Sequence, residues 1–232
     1  MRWRPFSRRT RGADRTADDR RRMVHDQIEA RGIRDPELIR ALLTVPRHVF
    51  LDVAATIPDA YADRALAIGS GQTISQPYVV AAMTHAARPL RGWRGANVLE
   101  VGTGSGYQAA LLAELGAEVI SIERHPELAE GAITRLRAAG YGERVRVVVG
   151  DGTRGLTEAA PFDAILVTAG GPEVPPPLVE QLNPQGGRLV MPVGDRDGQT
   201  LTLVERHGDE VTSRQIERVV FVPLIGEHGF VD

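Results

Sequence analysis

Strands and helices alternate along this chain from residue 97 to residue 183, and this alternation restricts the possible folds more than any other feature. Four short apolar runs are separated by helical segments: NVLEVG at 97–102, AEVISIE at 117–123, VRVVVG at 145–150 and FDAILVTA at 162–169. Such uniformly apolar runs are typical of parallel strands, which are buried on both faces. The pattern therefore predicts an α/β fold, with a Rossmann-like sheet and helices on both of its faces.

The segments on either side of this alternation are predicted to differ from it. Residues 16–57 form a helical preface, in which Gly32 ends one helix and Asp35 caps the next. The segment LAIGSGQTISQP at 66–77 has no amphipathic period and is predicted to be a loop, followed by a helix from Pro77. Near the C-terminus, the segments RLVMPV, TLTLVER and VTSRQIERVVFVPL predict antiparallel strands at one edge of the sheet.

The amino-acid composition excludes several kinds of chemistry. The 232 residues include no cysteine, so disulfides, thiolate catalysis and zinc–thiolate sites are excluded. All 28 basic residues are arginine, and the absence of lysine excludes Schiff-base chemistry and a P-loop. The six histidines have no metal-ligand spacing with carboxylates, so no metal site is predicted.

Charge and apolar content lead to expectations about organisation and location. Residues 1–15 are rich in arginine and poor in aliphatic side chains, which predicts a disordered tail, and residues 16–232 are predicted to form a single domain. The acidic balance of the remaining chain argues against nucleic-acid binding. No apolar run suits a membrane span or a signal peptide, so we expect a cytoplasmic protein without membrane contact, and we expect a monomer.

Glycines and two acidic residues follow the strands of the predicted sheet. The motif EVGTGSG supplies Gly102, Gly104 and Gly106. Glycines there allow a sharp turn and a close approach of the backbone to a ligand, although a tight turn without a ligand is the alternative for this motif taken alone. Glu123 ends the second strand, where it can accept hydrogen bonds from ribose hydroxyls, and Asp151 follows the third, within reach of an adenine amino group. Three such features at one sheet edge favour a nucleotide site.

The spacing of the glycines favours S-adenosyl-L-methionine over a dinucleotide. The run is GxGxG followed by Tyr107, whereas the dinucleotide fingerprint GxGxxG places a pyrophosphate at a helix N-terminus. S-adenosylmethionine has no phosphate, and Glu100 suits its cationic amino group. We therefore predict S-adenosylmethionine as the cofactor.

One loop ahead of the first strand of the alternation, GSGQTISQP at 69–77, is more specific. It resembles the IGxGQTISQP signature of the protein-L-isoaspartate O-methyltransferase family. Further similarities are VPRHVF at 45–50, EVGTGSGYQAA at 100–110, GDG at 150–152, FDAILVTA at 162–169, GGRLVMPVG at 186–194 and FVPLIGEHG at 221–229. The resemblance extends from about residue 23 to the C-terminus. Two departures are Ala67, where the family usually has proline, and Gly170 with Gly171, where it commonly has alanines.

This resemblance implies an enzyme that methylates the free carboxylate of L-isoaspartyl residues in damaged proteins and so initiates their repair. It implies Ser75 as the active-site residue that meets the substrate carboxylate, and Val222, in the strand at 219–224, as a residue that faces the peptide. The residues expected to bind the methyl donor are Gln72, Thr73, Ile74, Glu100, Gly102, Gly104, Gly106, Glu123, Asp151 and Gly152. The alternative for Ser75 is a hydroxyl that caps the helix starting at Pro77.

Two other functions fit the same residues. The chain could be a dedicated peptide-tailoring methyltransferase that modifies an aspartate of one partner, or a module that binds S-adenosylmethionine without catalysis. An intact Ser75, together with the glycines, Glu123 and Asp151, counts against the non-catalytic module. The residues do not separate the tailoring enzyme from the repair enzyme.

Overall fold

Seven strands form the central sheet of the computed structural model, which describes residues 16–51 and 56–231. They are β3 (Asn97–Val101), β4 (Glu118–Glu123), β5 (Val145–Val149), β6 (Ala164–Val167), β7 (Gln185–Gly194), β8 (Gln199–His207) and β9 (Glu210–Val219). Their order is β5-β4-β3-β6-β7-β8-β9, with β3 to β7 parallel and β8 and β9 antiparallel. The predicted α/β sheet with antiparallel C-terminal strands is therefore confirmed. The predicted tail at residues 1–15 lies outside the described residues.

Helices cover both faces of this sheet, as predicted. They are α1 (Ala17–Arg22), α2 (Pro36–Thr44), α3 (Ile57–Ala60), α4 (Pro77–Ala86), α5 (Tyr107–Glu114), α6 (Pro126–Ala138) and α7 (Pro176–Glu180). Successive residues of β3 point in opposite directions: Val98 joins the apolar cluster that includes α4 and α5, and Leu99 joins the cluster that includes Leu178 of α7. Two layers of core thus hold β3 rigidly between them.

The helical preface has the two predicted helix ends, although its last helix, α3, continues to Ala60, past the predicted limit at residue 57. Gly32 has a left-handed φ of 91° at the end of the first helical segment, where α1 continues into a π-helical and then a 3-10 turn. The carboxylate of Asp35 accepts hydrogen bonds from the amides of Glu37 (2.9 Å) and Leu38 (3.2 Å), which caps α2. Both predicted signals are confirmed.

Residues 66–77 are not the loop that the sequence predicts. They contain an antiparallel hairpin of β1 (Leu66–Gly69) and β2 (Gln72–Ile74), followed directly by α4. Ile68 and Ile74 are buried while Ala67 and Thr73 are exposed, so buried and exposed side chains do alternate along the two strands. The strands are too short for this alternation to be recognised in the sequence. The turn between them has positive φ at three consecutive residues, 69–71, which two glycines permit.

The last strand is shorter than predicted. β9 ends at Val219, and the following residues leave the sheet edge and return to the loop after β6. There the amide of Gly170 donates to the carbonyl of Val222 at 2.8 Å, and the amide of Leu224 donates to the carbonyl of Gly170 at 2.6 Å. Residues 220–224 therefore lie over the carboxyl ends of the parallel strands.

The strand order places a crevice at one end of β3. The chain proceeds from β3 to β4 and β5 on one side and then to β6 and β7 on the other, so the order reverses at β3. Open α/β sheets bind ligands in the crevice at such a reversal, beyond the carboxyl ends of the strands. Within the described residues, no helix combines the length and apolar character needed to cross a membrane.

Candidate active site

The turn after β3 is shaped by glycines and held by a threonine of the neighbouring strand end. Gly102 has φ of +95°, and a Cβ there would lie 2.5 Å from the hydroxyl oxygen of Thr168. That hydroxyl donates a hydrogen bond to the Gly102 carbonyl at 2.7 Å. No larger residue fits this position, because both the backbone conformation and the space exclude a side chain.

Glu123, at the end of β4, is bonded to the glycine turn. One of its carboxylate oxygens accepts from the amide of Gly104 at 2.8 Å, and the other accepts from the amide of His125 at 3.0 Å. The side chain is only 5% exposed. Each carboxylate oxygen has a second lone pair, so Glu123 can hold the turn and still accept hydrogen bonds from a ligand.

These residues line a pocket at the carboxyl ends of β3, β4 and β6, which we call the glycine-loop pocket. Its walls are Gln72, Thr73, Gly102, Gly104, Glu123, Gly152, Thr168 and residues 222–225, among others. Gly152 is buried, and a Cβ there would collide with the side chain of Val101. Glycine at 152 thus lets the end of β5 approach the end of β3.

A smaller inner cavity lies under the glycine turn, and Glu100 forms part of its wall. Glu100 is fully buried, and one of its oxygens accepts a hydrogen bond from the hydroxyl of Ser121, which is also within 2.6 Å of the hydroxyl of Thr103. Its Oε1 makes no well-aligned hydrogen bond with the described residues, although the amide of Ala109 lies near enough to favour the charged form of the carboxyl. Burial raises the pKa of Glu100 to about 8, against the lowering effect of the Ser121 hydrogen bond.

This pKa predicts that stability depends on the pH through Glu100. The value in the fold lies above the ordinary 4.5, so the native state keeps a proton that the unfolded chain releases. The contribution of Glu100 to the free energy of unfolding should therefore be greatest below the ordinary value and fall as the pH rises toward about 8. Urea unfolding of the ligand-free protein at several pH values should show this decline, and Glu100→Gln should reduce it.

The matched control for that measurement is Glu118→Gln, which changes an exposed glutamate of β4. It should leave the pH dependence as in the unaltered protein. A Glu100→Gln protein whose stability falls with pH as steeply as the unaltered one would show that Glu100 does not carry the excess proton.

Asp151 and Gly106 are less open to a ligand than the sequence suggests. The Asp151 carboxylate accepts hydrogen bonds from the amide and the hydroxyl of Thr153 and from the amide of Glu227, at 2.7–2.9 Å. Partial burial alone would raise the pKa of Asp151, but these hydrogen bonds hold it below its usual value. Gly106 begins α5 with φ of +90°, and a Cβ there would touch Leu136 of α6 at 3.3 Å. Its role is helix packing, and it lines neither cavity.

Ser75 lies between the inner cavity and a much larger outer cleft. The outer cleft has a volume of about 830 Å³ and is lined by Arg31, Thr73, Ser75, Tyr78, Asp195, Asp197, Glu217 and residues 218–221, among others. Ser75 and Thr73 line both spaces. Helix α4 begins with Gln76 as its N-cap and has no side-chain cap, so Ser75 does not serve as the helix cap. Within the described chain, the Ser75 hydroxyl has no hydrogen-bond partner.

The family model for protein-L-isoaspartate(D-aspartate) O-methyltransferase matches residues 18–229. The chain belongs to this family. Relatives named protein-L-isoaspartate O-methyltransferase include those of Methanoregula boonei, 52% identical over 92% of this chain and 96% of the relative, and of Methanoculleus marisnigri, 51% identical over 94% and 96%. The predicted family membership is confirmed, and the chain is an enzyme with S-adenosylmethionine as methyl donor.

Solved structures agree with this membership. A protein-L-isoaspartate O-methyltransferase structure superposes with a TM-score of 0.80 at 28% identity, covering 90% of this chain and 67% of that one. A second, from Plasmodium falciparum in complex with S-adenosyl-L-homocysteine, has a TM-score of 0.73 at 23% identity, covering 88% and 96%. The latter likeness shows the common methyltransferase fold.

Most of the predicted site residues meet around the crevice. Gln72, Thr73, Gly102, Gly104, Glu123 and Gly152 line the glycine-loop pocket, and Ile74, Ser75 and Glu100 line the inner cavity. Val222, predicted to face the peptide, borders the glycine-loop pocket instead, while Val220 and Phe221 line the outer cleft. The reason is that the chain has already left the sheet edge at residue 220.

Two contributors were not predicted from the sequence. Thr168 holds the glycine turn, and its place at the end of β6, beside the reversal of strand order, was a signal that could have identified it. Gln199 is 3% exposed and joins two walls of the outer cleft. Its side-chain nitrogen donates to the carbonyl of Asp195 at 2.5 Å, and its side-chain oxygen accepts from the backbone amide of Phe221 at 2.8 Å. Nothing in the local sequence indicates that role.

No group of three potential metal ligands lies together in the described part of the chain.

Proposed function

We propose that this enzyme transfers the methyl group of S-adenosylmethionine to the free carboxylate of L-isoaspartyl residues in proteins and peptides, the first step of their repair. The observation that carries the proposal is the position of Ser75. It borders the wide outer cleft and also the inner cavity beneath the glycine turn. A peptide carboxylate in the cleft can therefore reach a methyl donor held on the other side.

The donor side has the groups that S-adenosylmethionine requires. When bound, the donor supplies a methyl group attached to a positively charged sulfur. Glu100 presents to the inner cavity a buried oxygen without a well-aligned hydrogen bond, which suits the donor's amino group, and Glu123 can accept from ribose hydroxyls. Gly102 and Gly104 form part of the pocket wall, while the Cβ side of each is occupied by Thr168 and Ile68, respectively. Asp151 lines neither cavity but remains the proposed acceptor for the adenine amino group, through the one lone pair of Oδ2 that its protein donors leave free.

The acceptor needs orientation more than activation. A carboxyl group with a pKa of about 4 is already ionised at neutral pH, so no general base is required. The Ser75 hydroxyl, which lacks a partner among the described residues, is free to donate a hydrogen bond to one carboxylate oxygen and aim the other at the methyl carbon. Alignment at about 3 Å accounts for a large share of the rate in such reactions. Exclusion of water assists further, because opposite charges neutralise each other in the transfer.

The outer cleft suits a peptide whose neighbouring residues vary. Its walls include carboxylates, arginines and apolar groups, with Val220 77% exposed. The guanidinium of Arg31 lies over the ring of Tyr78 at 4.5 Å, and this pair forms part of the rim. A wide cleft of mixed character constrains the acceptor carboxylate near Ser75 while leaving the flanking side chains largely free.

The test is methyl transfer to two synthetic peptides that differ only in an isoaspartyl or an aspartyl linkage. We expect kcat/KM to be about 100-fold or more higher for the isoaspartyl peptide, since a carboxylate on a backbone of different length misses the in-line position. The rate of methyl transfer is measured as the base-labile methyl ester formed from labelled S-adenosylmethionine. A rate for the aspartyl peptide equal to or above that for the isoaspartyl peptide would contradict the repair activity, and so would donor binding without transfer to either peptide.

Several further expectations stay predictions. They are a cytoplasmic location, a monomeric state, the absence of nucleic-acid and membrane partners, and a single domain over residues 16–232.

A further inference from the structure

The last described residues of the chain form one wall of the glycine-loop pocket, and few of their side chains are buried. We call residues 220–231 the C-terminal strap. Residues 222–225 of the strap line the pocket, yet within the strap only Leu224 is buried, at 5% exposure. The strap has isolated bridges but no strand or helix. Phe221, Val222 and Leu224 pack against the core, so it is the position of residues 225–231 that depends on a few specific contacts.

The first half of the strap is held by main-chain hydrogen bonds. Gly170 and residues 222–224 exchange two of these bonds, and the amide of Phe230 donates to the carbonyl of Leu224 at 2.8 Å. At its end, the guanidinium of Arg196 donates to the carbonyl of Val231 at 2.5 Å and lies over the ring of Phe230. None of these hydrogen bonds or ring contacts involves residues 226–228.

Residues 226–228 are held from below by Thr153 and Asp151. The hydroxyl of Thr153, which is fully buried, donates to Asp151 at 2.7 Å and accepts from the amide of His228 at 3.2 Å. The other oxygen of Asp151 accepts from the amide of Glu227 at 2.9 Å. Gly226 passes so close that a Cβ there would collide with the Asp151 carboxylate. The end of β5 is thus joined to the strap by two adjacent amides.

We propose that Thr153 is a positioning residue for methyl-donor binding: with Asp151 it fixes the C-terminal strap as a wall of the donor pocket. This inference rests on the donor pocket of the proposed function and adds a residue that does not itself line that pocket. Part of the effect of Asp151 on donor affinity then acts through the strap, separately from any contact of its carboxylate with adenine.

The test compares Thr153→Val with Thr153→Ser. Valine has the shape of threonine but leaves the His228 amide without its acceptor, whereas serine keeps the hydroxyl. Calorimetric titration with S-adenosyl-L-homocysteine should show affinity about tenfold weaker for Thr153→Val and close to the unaltered value for Thr153→Ser. The KM for the donor should rise by a similar factor while kcat at saturating donor changes little. Amide hydrogen exchange of residues 226–231 should be faster in Thr153→Val without ligand.

A second pair of variants removes a donor from the strap itself. Glu227→Pro lacks the amide that bonds to Asp151 and should weaken binding as Thr153→Val does. Glu227→Ala keeps that amide and loses only exposed side-chain contacts, with Arg154 at 3.5 Å and with the ring of His228 at 3.9 Å, so it should bind normally. If Thr153→Val is too unstable to purify, this pair decides the question.

Three results would overturn the inference: undiminished affinity in Thr153→Val or Glu227→Pro, equal loss in Thr153→Ser, or weaker binding with unchanged exchange in the strap. Failure of the unaltered protein to bind S-adenosyl-L-homocysteine would instead refute the donor pocket, so the two failures are distinguishable.

Discussion

Replacement of Ser75 by alanine is expected to lower kcat for methylation of an isoaspartyl peptide by about 10- to 1,000-fold. The hydroxyl borders both the outer cleft and the inner cavity, so its loss removes the group that orients the acceptor oxygen toward the donor. Affinity for S-adenosyl-L-homocysteine should change much less, because the glycine turn and Glu123 remain. Steady-state kinetics at saturating donor, with calorimetric titration beside it, separates the two effects.

Ser70→Ala is the matched control, since it removes another serine hydroxyl, from the turn of the hairpin that leads to Ser75. Ser70 donates to Glu127 at 2.9 Å and lines neither the outer cleft nor the inner cavity. It should keep the kcat of the unaltered enzyme. A Ser75→Ala enzyme with unchanged kcat would remove Ser75 from the active site.

The same experiment carries a pH criterion. Because the acceptor is already ionised, kcat at saturating donor should be flat from about pH 6 to 8. The methyl donor must be saturating, because Glu100 ionises near the top of this pH range. A change in its charge would alter donor binding at lower donor concentrations. A steep rise of kcat through neutrality would indicate a titrating base at the acceptor.

Gly104→Val is expected to weaken the affinity for S-adenosyl-L-homocysteine by more than about 100-fold, equivalent to about 3 kcal/mol. Gly104 lines both the glycine-loop pocket and the inner cavity, and its amide donates to Glu123. A Cβ there would lie 3.2 Å from Cδ1 of Ile68, so a branched side chain would crowd Ile68 and the adjoining pocket. It would also be strained at φ of +51°.

Strain alone must be separated from blockage of the pocket, and Gly140→Val provides that comparison. Gly140 follows α6 with φ of +89° and has no atom within 4 Å of a Cβ, so valine there suffers the same kind of strain away from the site. It should lose stability while binding the ligand normally. Gly104→Val with normal affinity, or equal loss of affinity in Gly140→Val, would refute the pocket assignment.

The short hairpin at residues 66–74 shows why local patterns failed where they did. Its strands have four and three residues, and each contributes one buried isoleucine, Ile68 or Ile74. A period cannot be recognised over so few positions, and a turn of glycine, serine and glycine is typical of loops as well as hairpins. The hairpin nevertheless matters, because β2 leads directly to Ser75.

Asp151 shows a different limit. Its place after β5 indicated a ligand contact, and the structure adds donors from Thr153 and from Glu227, 76 residues further along the chain. Glu100 is similar: its motif indicated an acidic residue near the donor, but only the packing around it reveals a pKa raised to about 8. Contacts between distant segments are not encoded in the neighbourhood of either residue.

Local sequence was sufficient for the α/β class, the run of parallel strands, the helix ends at Gly32 and Asp35, and the glycine turn. Each of these depends on periodicity or on the backbone preferences of single residues, which act over a few positions. Tertiary structure alone decided that Ser75 lies between two cavities and that Val222 faces the donor side. It also decided that the C-terminal strap closes the pocket through Thr153. Those outcomes require segments from opposite ends of the chain to meet, and their free energy comes from packing and hydrogen bonds that exist only once the sheet has formed.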